Sequence, residues 1–185
     1  MNVLVETDRL QLALPGREDA AEIARFYTDN RDYLQPWSPT FLPAMFNAGF
    51  WREEAVRRQA EYEAGREVRC FVATRNEPAR VIGNVSLTQL IRGAFQAATL
   101  GYALAADAQG RGYMVEAVRG AVDFAFGELA LHRVMANYVP RNERSAAVLR
   151  RAGFTVEGYA CDYLMINGHW EDHVMTAITN PGWGR

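Results

Sequence analysis

The stretch "ATLGYALAADAQGRGYMVEAV", residues 98–118, passes from one periodicity to another across a pair of glycines. Its opening alternates in the manner of a strand, and from Met114 onward its apolar residues fall at helical spacing. Between the two halves, Gly110 and Gly112 stand at the helix entrance. Backbone that approaches a ligand closely favours glycine, and a helix N-terminus, with unpaired N–H groups and the positive end of its dipole, favours an anion. A strand feeding such a turn can aim consecutive amides at one phosphate or pyrophosphate.

Spacing narrows the choice of anion site. A P-loop requires GxxxxGK followed by Ser or Thr, but Gly112 is followed by Tyr113 and Met114; a dinucleotide fingerprint requires a small residue where Val115 stands. Both fail. Downstream, the strand "HRVMANYV" leads into "PRNERS", which spaces Asn142 and Ser145 as N-x-x-S ahead of the helix "RSAAVLRRAG". Read locally, Ser145 is a helix cap, with Asn142 able to serve the same turn.

Toward the N-terminus, "LVETDRLQLALP" reads as one strand and "REDAAEIARFYTDNRDYL" as a helix with Ala21, Ile23, Ala24 and Tyr27 on its buried face. "QPWSPTFLP" (35–43) is an aromatic, proline-rich loop, followed by a helix from about 50 to 64 closed by Gly65. "EVRCFVATR", "RVIGNVSLTQLI" and "ATLGYALA" form an antiparallel meander, and "FTVEGYACDYLMI" and "HWEDHVMTAIT" form a final hairpin turning at Asn167–Gly168. The plan is a mixed α/β chain with one central sheet, expected as a single domain over residues 1–185.

Composition sets outer bounds. With 185 residues, 49% hydrophobic content and a net charge of −2, the chain can bury a full core and does not read as a general nucleic-acid binder. Cys70 and Cys161 lack metal-site spacing and read as reduced core thiols; no metal is expected. No apolar run nears the roughly 20 residues needed to span a bilayer, and "MNVLVETDRL" lacks signal-peptide order, so a cytoplasmic protein without membrane contact is expected.

The segment from Gln109 to Met114 resembles the Q/R-x-x-G-x-G/A motif of the GNAT acetyltransferases, with Gln109 and Gly112 in place and Met114 departing from the usual small residue. The order strand, Q-G-R-G-Y loop, helix, strand, N-x-x-S, helix, A-G-F, strand extends the likeness. Residues 132–183, the opening "ETDRLQLALP" and the loop "YLQPWSP" are similar to the RimI/RimJ/RimL group, closest to its ribosomal-protein alanine N-acetyltransferases. The resemblance implies a mostly antiparallel sheet with a splayed parallel pair, flanked by helices, and acetyl-CoA as co-substrate. It implies a pyrophosphate site at Gln109, Gly110, Arg111, Gly112, Tyr113 and Met114, pantetheine contact at Asn142, and Ser145 near the sulfur. The implied acceptor is the N-terminal alanine of a small-subunit ribosomal protein, the fifth of that subunit, with the subunit itself a possible partner of a monomeric or dimeric enzyme. A small amine (aminoglycoside or polyamine) and a non-catalytic acyl-CoA-binding assembly factor are the rival functions.

Within that frame, backbone at Leu100, Gly101 and Tyr102 is the candidate donor to the thioester oxygen, although Gly101 reads equally as a packing bulge. Ser145 is the candidate acid for the CoA thiolate, with Tyr138 competing. Asp162 is the candidate base, ahead of Glu157, because the strand before the glycine loop carries no acid. Tyr33, Trp37, Phe41 and Tyr163 are the candidate peptide pocket, with Asp29 and Asp32 able to attract a basic tail.

Overall fold

A computed structural model describes residues 1–183. Eight strands, β1 (Asn2–Glu6), β2 (Leu10–Leu14), β3 (Val68–Thr74), β4 (Gly83–Ile91), β5 (Ala97–Leu104), β6 (Arg133–Tyr138), β7 (Thr155–Ile166) and β8 (His169–Thr179), form one sheet in the order β1-β2-β3-β4-β5-β6-β8-β7. Every neighbouring pair is antiparallel except β5–β6. The helices are α1 (Ala20–Asp29), α2 (Arg31–Leu34), α3 (Ala48–Glu63), α4 (Tyr113–Gly127) and α5 (Glu143–Ala152). The mixed α/β plan, the meander β3–β4–β5 and the closing hairpin therefore hold. No helix among the described residues is long and apolar enough to cross a membrane.

The first expected strand is two. Thr7 breaks it: its N–H donates to the Leu10 carbonyl at 3.0 Å and its Oγ1 accepts from Leu10 N–H at 3.0 Å, closing a turn that folds β2 back on β1. The buried face of α1 is Ala20, Ile23, Ala24, Phe26 and Tyr27, so Ala20 takes the place expected for Ala21, which is exposed. Cys70 is a buried core thiol, but Cys161 is exposed because β7 is the sheet's outermost strand.

Ladder partners project to the same face of a sheet, and alternate residues share a face along a strand. Phe71, Asn84 and Ala103 are thereby on one face, where Trp51 of α3 meets Phe71 with ring centroids 5.6 Å apart. Trp51 also stacks on Tyr27 at 5.0 Å and donates its indole N–H to the Met45 carbonyl at 2.7 Å. Cys70, Val85 and Leu87 project to the other face, under Ala121 and Phe124 of α4. Helices α1 and α3 thus cover the first face and α4 the second.

Trp51 is 1% exposed and joins α1, α3 and β3. Trp51→Ala is expected to lower the unfolding free energy by about 3–5 kcal/mol, read from the urea midpoint.

Candidate active site

The parallel pairing of β5 with β6 is short. It runs through Ala97↔Arg133, Ala98↔Val134 and Thr99↔Met135 and then stops, although β5 stays paired to β4 through Leu104 and β6 to β8 through Tyr138. The two strands part company in mid-sheet. The Gln96 carbonyl accepts from Arg133 N–H, while the Thr99 and Gly101 carbonyls take the Thr88 and Ser86 hydroxyls of β4. Since alternate residues direct N–H and C=O to opposite neighbours, the Tyr102 N–H and the Asn137 main chain face the opening, beyond the last rung. Gly101 lies in regular register with Ser86, so it is no bulge; the β4–β5 irregularity falls between Thr88 and Ile91.

Each mouth of the opening has its own chemistry. On the face with α4 and α5 are Tyr102, Tyr138 and Ser145. Tyr102 Oη is 2.7 Å from Ser145 Oγ and donates to the Ser145 carbonyl at 3.2 Å. Burial pushes the Tyr102 phenol up to about 12, the Ser145 hydroxyl pulls it down and nearby Tyr138 pushes it up again, so the group is a protonated donor at neutral pH. Asn142 is the N-cap of α5, its Oδ1 accepting from Ser145 N–H at 3.1 Å. Ser145 sits one turn in and is not the cap, which frees its hydroxyl for Tyr102.

At the same end of β5 lies the glycine turn. Gly110 and Gly112 have φ of 75° and 76°, the left-handed region that side chains disfavour, and Gly112 is the N-cap of α4. Glu116 N–H makes the first intrahelical bond, to the Gly112 carbonyl, so the N–H groups from Gly112 to Val115 have no acceptor within the helix. Met114 is buried in the core, its side chain turned away from the turn, which is how a large residue fits there. The Gln109 side chain donates to the Leu104 carbonyl at 3.3 Å and braces the loop.

On the opposite face, the ladders place Ser86, Gly101, Thr99, Met135, Asn137, Met175 and His173 on one surface. Asn137 Nδ2 donates to Tyr163 Oη at 3.1 Å, and the Tyr163 ring lies 5.2 Å from that of His173. The 140s loop and the aromatic loop close the rim. Arg141 forms a two-pronged pair with Glu171 (2.5 and 2.7 Å) and sits over the Trp37 ring, Arg144 Nη1 donates to Tyr33 Oη at 2.9 Å, and Asn167 N–H bonds the Ser38 carbonyl at 2.9 Å.

A strand pair opened over an N-terminal anion turn, with hydroxyl donors on one side and a polar surface on the other, suits transfer between a phosphate-bearing carrier and an acceptor. Residues 9–155 match the family described as acetyltransferase (GNAT) domain. The chain belongs to the GNAT acetyltransferases. It is 37% identical to a ribosomal protein uS5-alanine N-acetyltransferase of Escherichia coli over 98% of this chain and 93% of that one. A ribosomal-protein-S5-alanine acetyltransferase from Vibrio fischeri has a TM-score of 0.91 at 38% identity, covering 97% of this chain and 98% of that one. Mycobacterium smegmatis RimJ, solved in complex with CoA-disulfide, has a TM-score of 0.87 at 27% identity, covering 95% of this chain and 84% of that one. The fold is the GNAT fold, with the splayed parallel pair at β5–β6.

Not every expected site residue of this GNAT acetyltransferase gathers at the opening. Tyr33, Trp37 and Tyr163 line the rim, whereas Phe41 packs against Tyr27 (5.5 Å) and Phe46 (6.3 Å) in the aromatic core. Asp162 has φ of 45° in a β7 bulge; its N–H is held by Asp172 Oδ1 at 2.9 Å, and its exposed carboxylate has no hydrogen bond among the described residues. Glu157 is ion-paired with Arg133, and Asp29 with Arg25 at 2.6 Å. Sequence reasoning missed His173, the Tyr102 hydroxyl and the Arg9–Glu116 clamp. Their sequence signals are slight, because the faces of His173 and Tyr102 are set by distant ladders and the clamp joins residues more than a hundred positions apart.

The clamp holds the anion turn. Glu116, in the first turn of α4, accepts from Thr7 Oγ1 (2.6 Å), Arg9 N–H (2.8 Å) and Arg9 Nε (2.7 Å), while Arg9 Nη1 donates to the Arg111 carbonyl at 3.0 Å. Burial favours the neutral acid, but Thr7 and Arg9 outweigh it and hold the Glu116 carboxyl below the ordinary range. Its stabilisation is therefore present above the ordinary carboxylate pKa and is lost as pH falls through the lowered value. Glu116→Gln is expected to lower stability by about 1–2 kcal/mol at pH 7 and by less at pH 3, read by urea unfolding at both.

Proposed function

We propose that this chain transfers the acetyl group of acetyl-CoA to the N-terminal alanine amine of the small-subunit ribosomal protein uS5, in a ternary complex. The full-length likeness to a uS5-alanine N-acetyltransferase carries the acceptor assignment, since it spans the rim and closing hairpin as well as the anion turn. A ribosomal acceptor puts the activity in the cytoplasm.

In this reading, the N–H groups around Gly110, Arg111, Gly112, Tyr113 and Met114 bind the CoA pyrophosphate at the positive end of α4. The pantetheine arm runs down the β5–β6 opening past Asn142, whose Oδ1 is already used and whose Nδ2 remains to donate. The thioester oxygen takes the Tyr102 N–H, a donor fixed before any charge develops. The amine attacks from the Gly101 face, the C–S bond breaks, and the Tyr102–Ser145 hydroxyl pair returns a proton to the sulfur.

Acceptor chemistry fits a site without a strong carboxylate base. An α-amine of pKa near 7.8 is about 14% neutral at pH 7, against about 0.04% for a lysine side chain, a difference worth about 3.5 kcal/mol. Tyr33, Trp37 and Tyr163 offer apolar bodies with polar tips for the peptide.

The test is thiol release from acetyl-CoA with alanine-first peptides, polyamines and aminoglycosides in separate reactions. Turnover on the peptides alone is expected. Turnover confined to small amines overturns the acceptor, and CoA binding without turnover overturns the enzyme reading. Ser145→Ala is expected to lower kcat at least about tenfold and leave KM for acetyl-CoA near wild type, because its hydroxyl acts only once the C–S bond breaks.

A further inference from the structure

The acceptor face holds one buried side chain whose chemistry the transfer described above leaves unused. His173 is 4% exposed, in the middle of β8, one residue from Val174, the partner of the last residue of β6. Its ring projects with Asn137 and Gly101 into the surface at the open end of the parallel pair. Its Nδ1 lies 2.9 Å from the Glu171 carbonyl oxygen. A carbonyl can only accept, so Nδ1 carries the hydrogen of the neutral ring and Nε2 is left with a lone pair. Nε2 has no hydrogen bond among the described residues and is not among their sealed, partnerless buried atoms, so it stays open to the surface it faces.

The neighbouring strand is built around this ring. Between Ala160 and Leu164, β7 advances four residues while β8 advances two, from His173 to Glu171. Asp172 clamps the resulting bulge, accepting from Asp162 N–H at 2.9 Å and Tyr159 Oη at 2.7 Å. The bulge carries Tyr163 over His173 and sets its hydroxyl on Asn137, beside the main chain that faces the opening. The expected base, Asp162, is used by its backbone to shape this bulge. Arg141 neutralises the neighbouring Glu171 on this face, whereas the imidazole Nε2 has no hydrogen bond among the described residues and is free to take a proton.

We propose that His173 is the general base of the reaction, its Nε2 taking the proton given up by the acceptor amine. The inference rests on the acetyl transfer proposed above. The amine nitrogen forms the C–N bond with its lone pair, its N–H proton passes to Nε2, the C–S bond breaks, and the thiolate takes a proton from the Tyr102–Ser145 pair. The imidazolium then gives its proton to water and the hydroxyl pair is replenished from water, so amide and CoA thiol are the only products. Base and acid stand on opposite faces of the sheet, joined through the opening, which keeps the proton taken from nitrogen apart from the one given to sulfur.

The test uses steady-state kinetics with acetyl-CoA and an alanine-first peptide. His173→Asn keeps an N–H for the Glu171 carbonyl and removes the basic nitrogen; it is expected to lower kcat by about 10²–10⁴-fold with KM for acetyl-CoA within about twofold of wild type. His173→Ala is expected to be equally slow and to regain at least about tenfold in kcat with free imidazole, a recovery that a purely structural role would not give. A His173→Asn kcat within about threefold of wild type, or no response of an acetyl-CoA-binding His173→Ala protein to imidazole, overturns the proposal. Should His173→Ala fail to fold, His173→Asn decides alone. Failure of the acetyl-transfer reading is distinct: the wild-type protein then releases no CoA thiol with the peptide.

Discussion

A parallel strand pair is normally secured by a ladder along its whole length, and here that ladder ends after Thr99↔Met135. The remaining residues of β5 and β6 are not frayed, because β4 and β8 pair with their outer edges to the ends of both strands. Rigid backbone groups with no partner across the gap are the result. An unpaired N–H inside a sheet is costly unless water or another acceptor bonds it, and the proposed thioester oxygen would supply that acceptor. The anion turn, the α5 cap and the rim are arranged around it.

The gap also divides the chemistry. Tyr102, Tyr138 and Ser145 belong to the face covered by α4 and α5, where burial keeps the Tyr102 phenol protonated. Gly101, Asn137, Tyr163 and His173 belong to the other, where the 140s loop and closing hairpin make a rim. A side chain at residue 101 would meet Ser86 Oγ at 3.3 Å and stand in the approach to the opening, so glycine keeps that surface low. The Glu116 clamp ties the β1–β2 turn to the first turn of α4, making the N-terminal hairpin a brace for the anion turn.

Much of this is legible in the sequence because it is local. Strand alternation, the glycines at 110 and 112, the start of α5 near Asn142 and the Asn167–Gly168 turn each declare themselves within a few residues, and their order gives the fold. The parting of β1 from β2 is harder to read: both halves alternate alike, and only the paired bonds of Thr7 with Leu10 mark the turn. The glycine turn is legible in the sequence, whereas the surface on the opposite face of the sheet is not. "HWEDHVM" alternates as any strand does, and nothing within it tells His173 from a surface residue. Its face is set by register with β6, and β6's by register with β5, while Asp162 is displaced by a bulge that depends on Asp172 across the ladder. Phe41 is hard to place for a related reason, since an aromatic in a loop packs equally well inward, as it does here against Tyr27 and Phe46.

The most direct measurement is a crystal structure with acetyl-CoA bound. The thioester oxygen is expected within about 3.1 Å of the Tyr102 nitrogen, with the sulfur beside Ser145 Oγ and the diphosphate on the amides between Gly110 and Met114. Acetyl-CoA seated elsewhere, with the β5–β6 opening empty and Tyr102 N–H unmet, would contradict the assignment of that opening as the reacting centre.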